Sequence, residues 1–398
     1  MDSENENVLQ LRLKREQVRA QFAWYGEMLN DDQMPLIDDT LLATHYYAAA
    51  DPPGTLNVYL TSGTSNGRRK RIRYSAAEER FYLDEKARLF AQLLADETGH
   101  VPYRTAVADM GTGHAAATAA DIFQQIGLTC HSLPFSLPIA EHLTVLERER
   151  PQVLYTMPSI LERLLFAAPD PLQFGLRKVI LVGEVCTPAW RAQMAARLQL
   201  AAGDIVDTYG SIEIGTIAYF CNKIGRYVLM DGLIAERLRD GFDVAQDESV
   251  LVLTALYRTH FPVLRYVTND VVRDLRMMEV EGRQRMTFAA VTRRIGDEFK
   301  HGEKISLYDI EQTVCTHVAD AVIRVVLREG RKMCVFVRSS EALSEQTRAR
   351  IADDLAHRIA EIGEMISHGL LTAIVVEQAN EADEWFADGA RKLKKIWR

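Results

Sequence analysis

Between residues 55 and 205 short apolar runs alternate with longer amphipathic segments. Thr105–Met110, Val153–Thr156 and Lys178–Val182 have strand length and apolar character. Each is followed by a helical pattern: 114–126, a segment opened by Pro158-Ser159, and one opened by Thr187-Pro188, where proline suits the first helical position. Strands joined by helical crossovers must run parallel, so this part reads as an α/β sheet covered by helices. The amino-terminal side adds a helix over 8–30, a Pro- and Asp-rich connector, strands at 56–60 and 70–74, and a helix to about 95 opened by the capping box Ser75-Ala76-Ala77-Glu78. From about 215 the segments 219–230, 234–238, 249–256 and 271–277 are β-rich. The chain closes with an α+β pattern: helix 307–317, strands 321–327 and 333–338, helix 340–364 and strand 371–377. The polar stretch 296–304 is the best linker. The expectation is a large domain over 1–295, with parallel and mixed sheets, and a small α+β domain over 296–398.

Composition narrows the class. With 398 residues and 47% hydrophobic residues the chain can bury a sizeable core. The net charge of −8 (47 cationic against 55 anionic side chains) argues against a broad grip on nucleic acid or anionic lipid. Five widely spaced cysteines, with no C-x-x-C, do not make a disulfide framework. The start, Met1-Asp2-Ser3-Glu4-Asn5-Glu6, is too acidic for a signal peptide. No apolar run approaches the roughly 18 residues that a membrane span needs. A reduced, cytoplasmic protein with no membrane partner is expected.

Several segments carry chemistry-bearing residues, each with a plain alternative. The loop Thr61-Ser62-Gly63-Thr64-Ser65-Asn66-Gly67-Arg68-Arg69-Lys70 combines backbone freedom, hydroxyl donors and cations, the ingredients of an anion nest; the alternative is a solvated turn. It is not a Walker A loop, since only three residues separate Gly63 from Gly67. It matches G-x-S-x-G at Ser65, the serine-hydrolase elbow, but that turn needs a helix at once afterwards and Arg71-Ile72-Arg73-Tyr74 alternates like a strand. Gly111-Thr112-Gly113-His114-Ala115-Ala116 matches G-x-G-x-x-A, yet Cys130-His131 stands where a dinucleotide fold needs an acid. Asp207-Thr208-Tyr209-Gly210-Ser211-Ile212-Glu213 offers an aromatic face and a carboxylate beside a glycine turn, and Arg265-Tyr266-Val267-Thr268-Asn269-Asp270 ends a strand in a carboxylate; both also read as ordinary turns.

Taken in order, these segments resemble the adenylate-forming superfamily of acyl- and aryl-CoA ligases, peptide-synthetase adenylation domains and luciferases, nearest the phenylacetate-CoA ligase-like branch. Thr61, Ser62, Gly63, Thr64, Ser65, Gly67 and Lys70 resemble its phosphate loop. Val182-Gly183-Glu184 resembles the turn bordering adenine. Asp207 to Glu213 resembles the segment whose Tyr209 stacks on adenine, with Gly210 and Ser211 beside the nucleotide and Glu213 on Mg²⁺. Asp270 matches the ribose-binding aspartate and Arg294 the ribose-side arginine. Asp297 and Lys300 fall in the hinge, and Lys392, with Lys394 as its rival, matches the mobile catalytic lysine. Departures are Ile212 for a Ser/Thr, Asn269 for a Gly, a shortened amino-terminal part, and Tyr227 where a zinc-binding relative has His, so that Cys221 is expected to hold no zinc.

The resemblance implies ATP-dependent conversion of a carboxylic acid to an acyl-adenylate, pyrophosphate release, and transfer to a thiol of coenzyme A or of a carrier protein's phosphopantetheine. Gly113, His114, His131 and Phe135 are implied to line the acyl pocket; small residues among rings suit a flat aromatic or heteroaromatic acid better than a long chain. The alternatives are a weakened, adenylate-binding relative, suggested by Ile212, and the Ser65 hydrolase.

Overall fold

The computed structural model describes residues 2–28, 34–60, 70–110, 114–134, 137–295, 299–301, 303–328, 331–380 and 396–397. Of the site candidates, Thr61, Ser62, Gly63, Thr64, Ser65, Gly67, Gly113, Phe135, Asp297, Lys392 and Lys394 lie outside the described residues. The chain divides into two compact units: Met1–Arg104, Thr112–Cys130 and Thr208–Val291 form one, and Thr105–Gly111, His131–Asp207 and Thr292–Arg398 the other.

The first unit is built on antiparallel pairs. Thr55–Leu60 pairs with Arg71–Ser75, and that second strand stands between residues 61–69 and the helix Ala76–Leu94, which is incompatible with a nucleophile elbow. The capping box is present: the Ser75 N–H donates to Glu78 Oε2 at 2.8 Å and the Glu78 N–H donates to Ser75 Oγ at 3.3 Å. Leu233–Leu238, Glu248–Ala255 and Tyr266–Arg273 form an antiparallel run, and Gly215–Cys221 pairs with Arg226–Leu229. The last of these strands pairs in turn with Arg283–Phe288. The amino-terminal helix expected over 8–30 is two helices, Asp2–Gln21 and Ala23–Met28. One apolar core joins Val18, Tyr25 and Ile37 to Leu251, Phe261 and Phe288.

The same unit holds a buried polar knot. The Arg258 guanidinium donates to Glu78 Oε1 at 2.6 Å, to the Arg73 carbonyl at 3.0 Å and to the Glu213 carbonyl at 2.9 Å. Glu78 Oε1 also accepts from the backbone N–H groups of Thr259 (2.6 Å) and His260 (2.9 Å). Burial would raise the Glu78 pKa, but Arg258 and these donors outweigh it and hold the carboxyl below its ordinary range.

In the second unit the parallel reading holds. Ala106 to Asp109 pair in parallel with Val153 to Thr156, which pair in parallel with Lys178 to Leu181. Helices Ile139–Glu149, Pro158–Ala167 and Pro188–Arg197 supply the crossovers and cover. The carboxy-terminal α+β part has Val322–Arg328 antiparallel to Lys332–Arg338, which runs parallel to Ala373–Gln378. Ile396–Trp397 adds a parallel strand beside Val325 and Val326. The helix expected over 340–364 is two, Glu345–Arg358 and Ala360–Ser367. One apolar core runs from Val107, Leu154 and Trp190 to Ile310, Val335 and Leu355. Buried polar contacts reinforce it: Gln193 Nε2 donates to the Cys315 carbonyl at 2.9 Å, and Trp190 Nε1 to Glu162 Oε1 at 2.7 Å.

Candidate active site

In the first unit, Tyr209 near the end of strand Ile205–Ser211 is brought to Asp270 on Tyr266–Arg273. The Tyr209 hydroxyl donates to Asp270 Oδ2 at 2.5 Å, although 61 positions separate the two residues. Gly210 beside it lets the strand Gly215–Cys221 come close, because a Cβ there would lie 2.6 Å from the Gly215 carbonyl oxygen. Asp270 is fixed from behind: its N–H donates to Thr268 Oγ1 at 3.1 Å, and that hydroxyl donates to the Leu251 carbonyl at 2.8 Å. Asn269 adopts φ 65°. That is the left-handed region, which asparagine tolerates better than most residues and which explains how it replaces a glycine.

The residues after Tyr209 divide in role. Ser211 Oγ is out of solvent and has no hydrogen-bond partner among the described residues, an open donor beside the Tyr209–Asp270 pair. Ile212 packs against the apolar core, and its carbonyl accepts from the Tyr74 hydroxyl at 2.8 Å. Glu213 is 7% exposed, and among the described residues its carboxylate takes no hydrogen bond or ion pair. Its oxygens keep access to solvent, and a carboxylate that no protein cation meets is a hard oxygen donor that fits an Mg²⁺ ligand. Tyr227, in place of a zinc-ligating His, is a core residue stacked on Phe288 at 5.0 Å.

Lys70, expected to face phosphate, has its ammonium 2.7 Å from both oxygens of Asp39. His114 is only 3% exposed; its ring stacks on Tyr82 at 3.8 Å and lies 4.4 Å from Tyr59 and Tyr74. Its Nε2 is 3.1 Å from Glu79 Oε1, which also accepts from the Tyr59 hydroxyl at 2.8 Å. Burial pulls the His114 pKa down, and Glu79 offsets this only in part. Behind it Lys86 donates to the Tyr82 hydroxyl at 2.9 Å, and burial lowers its pKa to about 7.

In the second unit Gly183 has φ 85°. Such a left-handed turn favours glycine. The Glu184 carboxylate anchors the helix Pro158–Ala167, accepting from the Ser159 N–H at 2.8 Å and the Ser159 hydroxyl at 2.9 Å. Asp207 is buried, Arg294 is half-buried on Ala290–Arg294, and His131 is exposed on Thr129–Pro134. Lys300 lies on the short strand Phe299–His301. At the carboxyl end of strand Thr105–Met110, Asp109 Oδ2 lies 2.7 Å from His142 Nδ1, while His142 Nε2 lies 3.1 Å from the Leu137 carbonyl. Burial alone would lower the His142 pKa; Asp109 outweighs it, and the imidazole titrates above its ordinary value.

Asp39, Tyr47, Glu79, Lys86 and the Asp109–His142 pair escape a reading of the sequence. Asp39 sits in the stretch read as a Pro- and Asp-rich connector, where the structure instead opens the helix Asp39–His45. Nothing in its spacing points to a lysine 31 positions away.

A family model for the fumarate–diaminopropanoate ligase C-terminal domain matches residues 300–380. The chain is 34% identical to the fumarate–(S)-2,3-diaminopropanoate ligase of Enterobacter agglomerans, over 93% of this chain and 94% of that protein. It is 28% identical to the phenylacetate-coenzyme A ligase of Aromatoleum evansii, over 47% of this chain and 44% of that one. The crystal structure of a 2-hydroxyisobutyryl-CoA ligase superposes with a TM-score of 0.72 at 15% identity, covering 98% of this chain and 88% of that one, and so shares the fold.

Proposed function

The chain belongs to the adenylate-forming ligases, and from that premise we propose that it activates a small carboxylic acid with ATP and joins it to an amine. What carries the reading at the site is the Tyr209–Asp270 hydrogen bond of 2.5 Å, since it brings together the two residues that the superfamily pattern assigns to adenine and ribose. The amine acceptor rests on the acid–amine ligase to which nearly the whole chain is similar.

A carboxylate is a poor electrophile because its leaving group would be oxide. In the proposed first step a carboxylate oxygen attacks the α-phosphorus of ATP, the bond to the β-phosphate bridging oxygen breaks, and pyrophosphate leaves. In the second step the neutral amine attacks the acyl carbon, AMP leaves and the amine gives up a proton. The protein's part is mainly positioning and charge neutralisation. Tyr209 offers its ring to adenine and Asp270 its carboxylate to ribose hydroxyls. Ser211 offers its buried hydroxyl, and the 61–70 loop its donors. Bound Mg²⁺, held by Glu213, would neutralise phosphate charge. Lys392 is the cation proposed to bridge the substrate carboxylate and α-phosphate, carried by a mobile 296–398 domain pivoting at Asp297.

The acid proposed is short and planar, which suits the fumarate named for the relative. A thiol acceptor, coenzyme A, is the second reading, favoured by the likeness to the phenylacetate-coenzyme A ligase. The test is acid-dependent ATP–pyrophosphate exchange over a panel of aromatic, aliphatic and dicarboxylic acids, then mass analysis with diamino acids or coenzyme A as acceptor. Exchange followed by amide product supports the proposal. Thioester alone moves it to the second reading, and no exchange with any acid overturns it.

A further inference from the structure

Lys70 is the first described residue after 61–69, and its ammonium is held, at 15% side-chain exposure, by both oxygens of Asp39. Asp39 is itself gripped from two other directions. The Tyr47 hydroxyl donates to Asp39 Oδ1 at 3.0 Å, and Asn269 Nδ2 approaches Oδ2 at 3.5 Å. Burial first, then the charges of Asp39 and Glu213, push the Tyr47 pKa far up, so its hydroxyl remains a donor. The Lys70 ammonium also lies 5.7 Å from the centre of the Tyr47 ring, within cation–π range.

Asn269 immediately precedes Asp270 and is in the left-handed conformation. One carboxylate therefore links Lys70, the residue that follows 61–69, with the strand that presents Asp270. We propose that Asp39 is a positioning residue of the nucleotide site, fixing Lys70 at the phosphates and steadying the strand Tyr266–Arg273 where it carries Asp270. The proposal rests on the reading of Lys70 and Asp270 as nucleotide-facing residues. The Asp39–Lys70 ion pair is partly exposed, and such pairs contribute little to stability, so a carboxylate that ties Lys70 to the distant Asn269 is expected to act on binding more than on folding. A lysine on a flexible four-carbon stem depends on such an anchor for a defined place.

The test compares the parent with Asp39→Asn, Asp39→Glu, Lys70→Ala and Asp39→Asn/Lys70→Ala. It reads the ATP Kd by calorimetry, the melting temperature, and KM and kcat in the acid-dependent exchange assay. Asp39→Asn is expected to weaken ATP binding about tenfold, with the acid KM and kcat within about twofold and the melting temperature preserved. Asp39→Glu recovers most of the affinity. Because Asp39 acts largely through Lys70, the double variant binds only slightly more weakly than Lys70→Ala alone. ATP affinity of Asp39→Asn at or above the parent's overturns the proposal. So does a loss in which melting temperature, kcat and both KM values deteriorate together, or one that is fully additive in the double variant. A parent that binds ATP without exchanging pyrophosphate refutes the ligase reading, while the ratio of Kd values still decides the role of Asp39. A parent that binds no ATP overturns both.

Discussion

The hydroxyl of Tyr209 and the carboxylate of Asp270 meet at 2.5 Å, joining strands that belong to two different sheets. Hydrogen bonds to a charged acceptor are short and strong. Tyr209→Phe keeps the ring but leaves Asp270 without this donor. ATP binding is expected to weaken by about 1.5–3 kcal/mol, roughly 10- to 150-fold, with little change in the acid KM. Unchanged ATP affinity by calorimetry would detach Tyr209 from the nucleotide site.

Glu213 yields a prediction that separates activity from stability. Its carboxylate keeps access to solvent and, among the described residues, meets no cation. Glu213→Gln changes the charge at nearly constant volume, so the melting temperature in metal-free buffer should stay close to the parent's. Mg²⁺-dependent pyrophosphate exchange should fall by at least about tenfold. A variant that melts earlier and exchanges normally would place the cation elsewhere.

Lys392, proposed as the adenylation cation, is expected to distinguish the two half-reactions. If it serves only adenylation, Lys392→Ala should lose pyrophosphate release by about two orders of magnitude, roughly 3 kcal/mol of transition-state stabilisation. Supplied with preformed acyl-adenylate, the same protein should still pass the acyl group to its acceptor at close to the parental rate. Loss in Lys394→Ala with a silent Lys392→Ala would move the role by two positions, and silence in both would remove it from this segment.

Glu78 and Arg258 are 2% and 0% exposed and 2.6 Å apart. Glu78→Gln leaves the guanidinium buried without its counter-charge and weakens a helix cap. The expected cost is about 3–5 kcal/mol of unfolding free energy, measured by urea titration. A loss below about 1 kcal/mol would mean that the knot relaxes around the change.

The Asp109–His142 pair makes a signed pH prediction. The folded pKa of His142 is raised above the ordinary 6.5, so the stability it contributes is complete below that value and lost as pH rises through the folded pKa. The melting temperature of the parent minus that of His142→Gln should shrink as pH rises above about 6.5. A difference that grows with pH would refute a charged His142.

Much of this architecture is legible in the chain itself. Apolar runs of strand length, spaced by helical periods, determine the parallel sheet at 105–110, 153–156 and 178–182, because buried strands and their covering helices must be apolar at different periods. Ser75 and Glu78 mark a helix start because both caps are local, within three residues. Gly183 is legible as a turn residue for the same reason, whereas Gly210, read beside a turn, lies in the strand Ile205–Ser211, where only the close approach of Gly215 requires it. The site's polar wiring is not local. Asp39 on Lys70, Glu78 on Arg258, Glu79 on His114 and Asp109 on His142 join positions 31 to 180 apart, with no period or spacing that relates them. Only the folded backbone brings such partners together, and only burial decides which ionisable groups need one. Sequence by itself determined the elements and the order of the motifs. Tertiary structure decided that Lys70 rests on Asp39, that Ile212 belongs to the core and that Glu184 anchors a helix, because hydrogen bonding and desolvation depend on distances that chain order does not contain.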